Sequence, residues 1–137
     1  MARGNNRPPP SPENSFCSSS VEDSSSPYFL QSSDHPGLVL VTHTLDGTNY
    51  SSWSRAMVLA LTAKNKSSFI NGSIPRPPNH DLLFSAWNHC NSMVISWLLN
   101  SVSKAIDDSL VYFPDASAVW DYLRTRFQQA NGHASFN

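Results

Sequence analysis

Charged side chains are scarce in this chain: Asp, Glu, Lys and Arg make up 14% of its 137 residues, against roughly 25% in an ordinary soluble domain. What charge there is nearly cancels, nine basic residues against ten acidic ones for a net −1. Affinity for polyanions comes from excess Lys and Arg neutralising phosphates, so this balance argues against a chain that lives by binding nucleic acid. Cysteine is nearly absent. Cys17 and Cys90 alone cannot make a disulfide framework or a zinc site. No apolar run approaches the ~18 residues of a membrane span, and no apolar core of about 7–15 residues marks a secretory signal. The expected setting is therefore reducing: cytoplasmic, with the nucleus also open to it. There both cysteines stay thiols and the sequons at Asn49, Asn65 and Asn71 stay silent.

What is plentiful is serine. Of 24 serines, ten fall between Ser11 and Ser33, and six of the ten prolines lie within residues 1–37. That first stretch holds no tryptophan and offers too little apolar surface to offset the entropy of ordering it. Residues 1–34 read as a disordered Ser/Pro-rich tail. A transit peptide would suit Arg3 and Arg7, but Pro8, Pro9, Pro10 and Pro12 block an amphipathic helix, and Glu13, Glu22 and Asp23 have the wrong sign. Ser11-Pro12 and Ser26-Pro27 are candidate phosphorylation pairs of a kind that serine-rich tails also produce by chance.

From Leu38 onward the chain reads as globular. Leu38 to Val41 is a short β-prone run, ended by the turn signal Asp46-Gly47 and expected to pack on helices as an extended lead-in. Thr48 or Asn49 can cap a helix carrying Tyr50, Trp53, Met57, Ala60, Leu61 and Lys64 at helical spacing. Asn71-Gly72 and the prolines at 75, 77 and 78 forbid continuous helix through that stretch. The next helix is expected from about Asp81 to Leu99, with Leu83, Trp87, Cys90, Val94 and Trp97 or Leu98 on one face. Its opposite face (Ser85, Asn88, His89, Ser92, Ser96) is polar yet uncharged. Ser103 is expected to cap a short helix to about Tyr112, with Ile106 and Leu110 inward. Asp115 is expected to cap a last helix with Ala116, Val119, Trp120, Leu123 and Phe127 on its inner face, stopped near Gly132. The fold class is all-α: a bundle of about four helices over residues 35–132, with a short tail at 133–137.

Function is harder to place. Tryptophans 53, 87, 97 and 120 could stack on bases, yet they sit on or beside the inward stripes, where burial alone explains them. The histidines at 35, 43, 80, 89 and 133 stand beside no activated nucleophile, and the five glycines form no phosphate-cradling loop. His89 and Cys90, and likewise Asp107 and Asp108, point about 100° apart on a helix and cannot converge on one atom. No catalysis, cofactor, metal or small-molecule substrate is expected. Arg55, Lys64, Lys66, Arg76, Arg124 and Arg126 could form a basic rim, with the acids at 107, 108, 115 and 121 elsewhere; the plainer reading is solvated helix edges, with Arg124 paired to Asp121. Leu59, Phe84, Ile95 and Leu99 lie off the stripes. They are either covered by neighbouring elements or form a self-association surface.

Four motifs in order carry a family resemblance. The first is Val41 to Tyr50, with Leu45, Gly47, Asn49 and Tyr50, followed by Trp53 and Met57 to Leu61. The second is the connector from Phe69 to Pro77, with Gly72 and Pro75. The third is Trp87, Cys90, Asn91, Met93, Val94, Ser96, Trp97, Asn100 and Ser101. The fourth is Ala116, Val119, Trp120, Leu123, Arg126 and Phe127. Together they resemble the N-terminal Gag domain of plant Copia-type LTR retrotransposons over roughly residues 34–132. The resemblance implies an all-α domain that assembles with other Gag chains into a particle shell. Full Gag chains of this family usually continue into a zinc knuckle that grips RNA, so the resemblance implies a truncated or solitary Gag portion, with RNA a weak partner. The alternative is a nucleic-acid-binding adaptor that uses the basic rim.

Overall fold

The computed structural model describes residues 23–128. Residues 1–22 of the expected tail, with Cys17 and Ser11-Pro12, and the expected stop at Gly132 with residues 133–137, lie outside the described residues. Five α-helices follow one another: α1 (Tyr50–Ala63), α2 (Ser68–Asn71), α3 (Phe84–Asn100), α4 (Lys104–Leu110) and α5 (Ala116–Leu123). The last continues into a π-helical turn, Arg124–Gln128. Among the described residues the only β pairing is one parallel bridge between Leu45 and Val102, so the fold is all-α, with five helices where four were expected. The additional one, α2, occupies a single turn before Asn71-Gly72. Gly72 ends it at φ 80°, in the left-handed region that glycine enters without strain.

Apart from Leu83, which precedes α3 and stays outside the core, the stripes pack much as their spacing predicts. Tyr50, Trp53, Met57 and Leu61 of α1 are buried, as are Trp87, Cys90, Val94, Trp97 and Leu98 of α3 and Ala116, Val119 and Leu123 of α5. The packing of α5 on both α2 and α3, and of the π turn on α1, closes the bundle. Trp120 departs from the pattern. It is only half-buried and stacks on Trp53 at 5.6 Å between centroids, covering that ring from outside.

The start of α3 differs from expectation. Helix begins at Phe84 because the Asp81 carboxylate and carbonyl first take the N–H groups of Leu83 and Phe84, forming a separate turn. Capping differs too. Asn49, Ser103 and Asp115 occupy the positions before their helices, but none of their side chains accepts a capping hydrogen bond from the helix N–H groups. The cap of α5 comes from another helix instead. Asn91, buried in α3, accepts the Ala116 N–H at 2.8 Å and donates to the Pro114 carbonyl at 2.9 Å. One buried amide thus satisfies both peptide groups at the mouth of α5.

Of the stretch expected as tail, residues 23–34 are described. From Asp23 the chain is laid across the helices as a strap, with Tyr28, Leu30, Leu38 and Leu40 against the core and Val41 inside it. Its composition is tail-like because few of its own side chains hold it. Side chains of α3 and of the turn between α1 and α2 grip its carbonyls instead: Asn65 to Ser25, Cys90 to Tyr28, Lys66 to Phe29, Trp97 to His35 and Asn100 to Pro36.

The tryptophans therefore differ in what their loss should cost. Trp87→Ala empties the core and is expected to destabilise by about 3–5 kcal/mol, whereas Trp120→Ala, half-exposed, should cost under about half of that. Trp53→Phe should cost more than Trp87→Phe, because the Trp53 indole N–H serves a buried carbonyl while the Trp87 indole N–H has no partner. Urea melts followed by circular dichroism give all four values; equal costs for the two phenylalanine variants would contradict the assignment.

Candidate interaction surface

The first motif folds into a locked turn. Asp46 accepts the backbone N–H and hydroxyl of Thr48 at 2.9 and 2.7 Å. Asn49 accepts the Asp46 N–H at 3.1 Å and donates to the Thr44 carbonyl at 2.9 Å. Gly47 sits at φ 97°, where a side chain is strained, and the Phe127 ring lies in van der Waals reach, 3.5 Å from where a Cβ would be. Behind the turn, Leu45 donates its N–H to the Ser101 carbonyl at 2.9 Å, and the Ser103 N–H returns to the Leu45 carbonyl at 2.9 Å. The Trp53 indole adds a third bond, 2.8 Å to the same Ser101 carbonyl. Leu45, Gly47, Asn49, Tyr50, Trp53 and Phe127 are thereby brought to one end of the bundle as scaffold. Trp87, Cys90, Trp97 and Leu123 line the core between helices. Gly72 and Pro75 lie in the exposed connector.

The second polar cluster pins the strap. Lys64 pairs with Asp34 at 2.6 Å, with side chains only 19% and 3% exposed, and lies 5.4 Å over the Trp97 ring. Lys66 is buried outright, and that burial holds its ammonium below the ordinary lysine range. Burial pushes the Cys90 thiol up to about 11, so it is neither nucleophile nor ready metal ligand at neutral pH. Among the described residues no group of three or more His, Cys, Asp or Glu could hold a metal, and no helix is long and apolar enough to cross a membrane.

This arrangement dismantles the basic rim. Lys64 and Lys66 are spent on the strap. Arg76 pairs with Asp115 at 3.1 Å and covers the Phe84 and Trp87 rings. Arg124 pairs with Asp121 at 2.9 Å, as its spacing predicts, and Arg126 bonds the Tyr122 hydroxyl at 2.7 Å. The acids at 115 and 121 stand among the bases rather than elsewhere. Among the described residues of that group, Arg55 and Arg126 are the exposed cations with no carboxylate partner; Arg126 is held by Tyr122, and Arg55 has no hydrogen-bond or ion-pair partner.

The apolar surface is also redistributed. Leu59 is 56% exposed, but Phe84, Ile95 and Leu99 are half-buried against the core. Sequence periodicity missed Val58, beside Leu59 on α1, and the protrusion formed by Val111 and Tyr112 after α4, where Tyr112 is 86% exposed. The available signal was their position off the stripes and just before Pro114. Beside Val58 runs an open groove of about 410 Å³, lined by Tyr50, Ser54, Arg55, Val58, Trp120 and Gln128. A smaller hollow of about 240 Å³ lies where Pro36 of the strap crosses His89, Ser92, Met93 and Ser96, part of the uncharged face of α3.

Residues 31–78 match the family model described as Gag-polypeptide of LTR copia-type. That segment runs from the strap through the locked turn, α1 and α2 to the connector, and carries the first two motifs; those from Trp87 onward lie beyond it. No curated protein and no solved structure matches the chain.

Two outcomes test the strap cluster. In a Cys17→Ser background, Asp34→Asn removes the carboxylate that Lys64 faces and should free the strap, speeding labelling of Cys90 by a disulfide reagent at pH 8 about tenfold or more. Cys90 also sets a pH dependence. Its folded pKa lies above the ordinary thiol value of 9.0, so its contribution is whole below pH 9 and is lost as pH rises through about 11. Cys90→Ala should therefore lose less stability than wild type between pH 9 and about 11 in denaturant titrations.

Proposed function

We propose that the chain is a non-catalytic Gag-like module whose work is protein–protein assembly, with further copies of itself or with other Gag chains as partners. The observation that carries this is the Copia-type Gag match across residues 31–78, which relates the chain to retrotransposon Gag. Domains of that type are generally structural rather than enzymatic. The surface is in keeping with it: Leu59, Val58, Val111 and Tyr112 present apolar area that a monomer gains nothing by exposing. The low charge fits as well, since faces that meet other proteins are depleted of charge at their centres.

RNA is a weaker partner in this reading. Phosphate binding needs cations free to release counterions, and Lys64, Lys66, Arg76 and Arg124 already have protein partners. Sedimentation velocity of the full chain, with and without RNA, tests the proposal. Concentration-dependent oligomers that persist from about 50 to 500 mM salt, and that RNA does not create, are expected. A monomer whose RNA affinity falls steeply over the same salt range would instead establish a nucleic-acid adaptor and sink the assembly reading.

A further inference from the structure

Two exposed features of this molecule are opposite in shape and in charge. The groove on α1 is concave, floored by Trp120 with the rim of Tyr50, and flanked by Val58. Its cation is Arg55: Arg124, at the nearby end of α5, is already held by Asp121. The second feature is convex. Val111 and Tyr112 stand out at 52% and 86% exposure. Asp108 precedes them by three and four positions and so shares their side of the helical turn, with Asp107 next to it. Neither aspartate has a basic partner within ion-pair distance among the described residues. Lys104 lies one turn earlier, leaving the protrusion net acidic.

We propose that the Val111–Tyr112 protrusion of one copy docks in the α1 groove of a second copy, with Tyr112 on Trp120 and Asp108 facing Arg55. This rests on the assembly reading and names its contact. The occupant is argued from complementarity: a half-exposed indole offers an aromatic ring a stacking partner, and the one unpaired cation of the groove meets the unpaired acids beside the protrusion. Opposite charge selects register and partner more than it adds affinity. No residue belongs to both features, so the contact is heterologous. Each copy offers a groove to one neighbour and a protrusion to another, and the contact propagates unless its rotation closes a ring. Patches this small bury less than a standard interface, so a single contact is weak, with a dissociation constant of about 0.1–1 mM.

The test is sedimentation equilibrium of the full 137-residue chain from about 20 µM to 1 mM, with circular dichroism to verify folding of each variant. All substitutions are on exposed side chains. Tyr112→Ala should weaken association about tenfold, and Arg55→Glu about fivefold. Arg55→Glu combined with Asp108→Arg in one chain should recover association to within about twofold of wild type. A Tyr112→Ala chain mixed with an Arg55→Glu, Val58→Asp chain should give heterodimers and nothing larger, since that pair retains only one working groove facing one working protrusion. If wild type associates but Tyr112→Ala and Arg55→Glu leave it unchanged, this contact is overturned while assembly stands. Loss of RNA binding in Arg55→Glu with unchanged self-association likewise overturns it, assigning the groove to RNA. A wild-type chain that is monomeric throughout overturns both the contact and the assembly reading.

Discussion

The Ser101 carbonyl is the point on which the bundle is assembled. It lies at the end of α3, where the last carbonyls of a helix have no partner within the helix. Here the partners arrive from far along the chain: the Leu45 N–H and the Trp53 indole N–H. Those two bonds fix the locked turn and α1 against the end of α3, and the return bond from Ser103 to Leu45 sets where α4 begins. Leu45, Trp53 and Ser101 are all 0% exposed, so none of these bonds competes with water, and a missing one would leave an orphaned group in the interior.

A similar constraint explains the strap. An irregular segment laid over a core carries peptide carbonyls that no ladder satisfies. This chain answers with side chains that reach over to them, Lys66 and Asn65 from the turn after α1 and Asn100, Trp97 and the Cys90 thiol from α3. The consequence reaches the surface. Lysines that look like a basic rim are consumed as internal donors, and what is left outward is a nearly neutral exterior with apolar protrusions. This distribution of charge is in keeping with the assembly role proposed above.

Much of the fold was legible beforehand. The inward stripes of α1, α3 and α5 were read from spacing because burial imposes the helical period directly on the sequence. The turn at Asp46-Gly47 and the break at Gly72 were legible because positive φ restricts residue choice to very few types. The strap was not legible. Its residues are selected by partners 30 to 64 positions away, and a segment held by other segments' side chains has no periodicity of its own. The capping of α5 by Asn91 escaped for the same reason, as the donor and acceptor meet only once α3 and α5 are packed.

The candidate surface divides along the same line. Leu59 could be singled out from its place opposite Tyr50, and the motifs from Leu45 to Pro75 pointed to the family that the match over residues 31–78 then supplied. Sequence alone determined the helix faces, the glycine turns and the likeness to the Copia-type Gag model over residues 31–78, because each is written in local spacing or in residue type. Tertiary structure alone decided which charges remain available and which apolar residues remain outside. Lys66 and Arg55 are the same kind of residue on paper; one is buried under the strap and the other stands free beside a groove. That difference is set by distant chain segments competing for the same surface, and it exists only once they have packed.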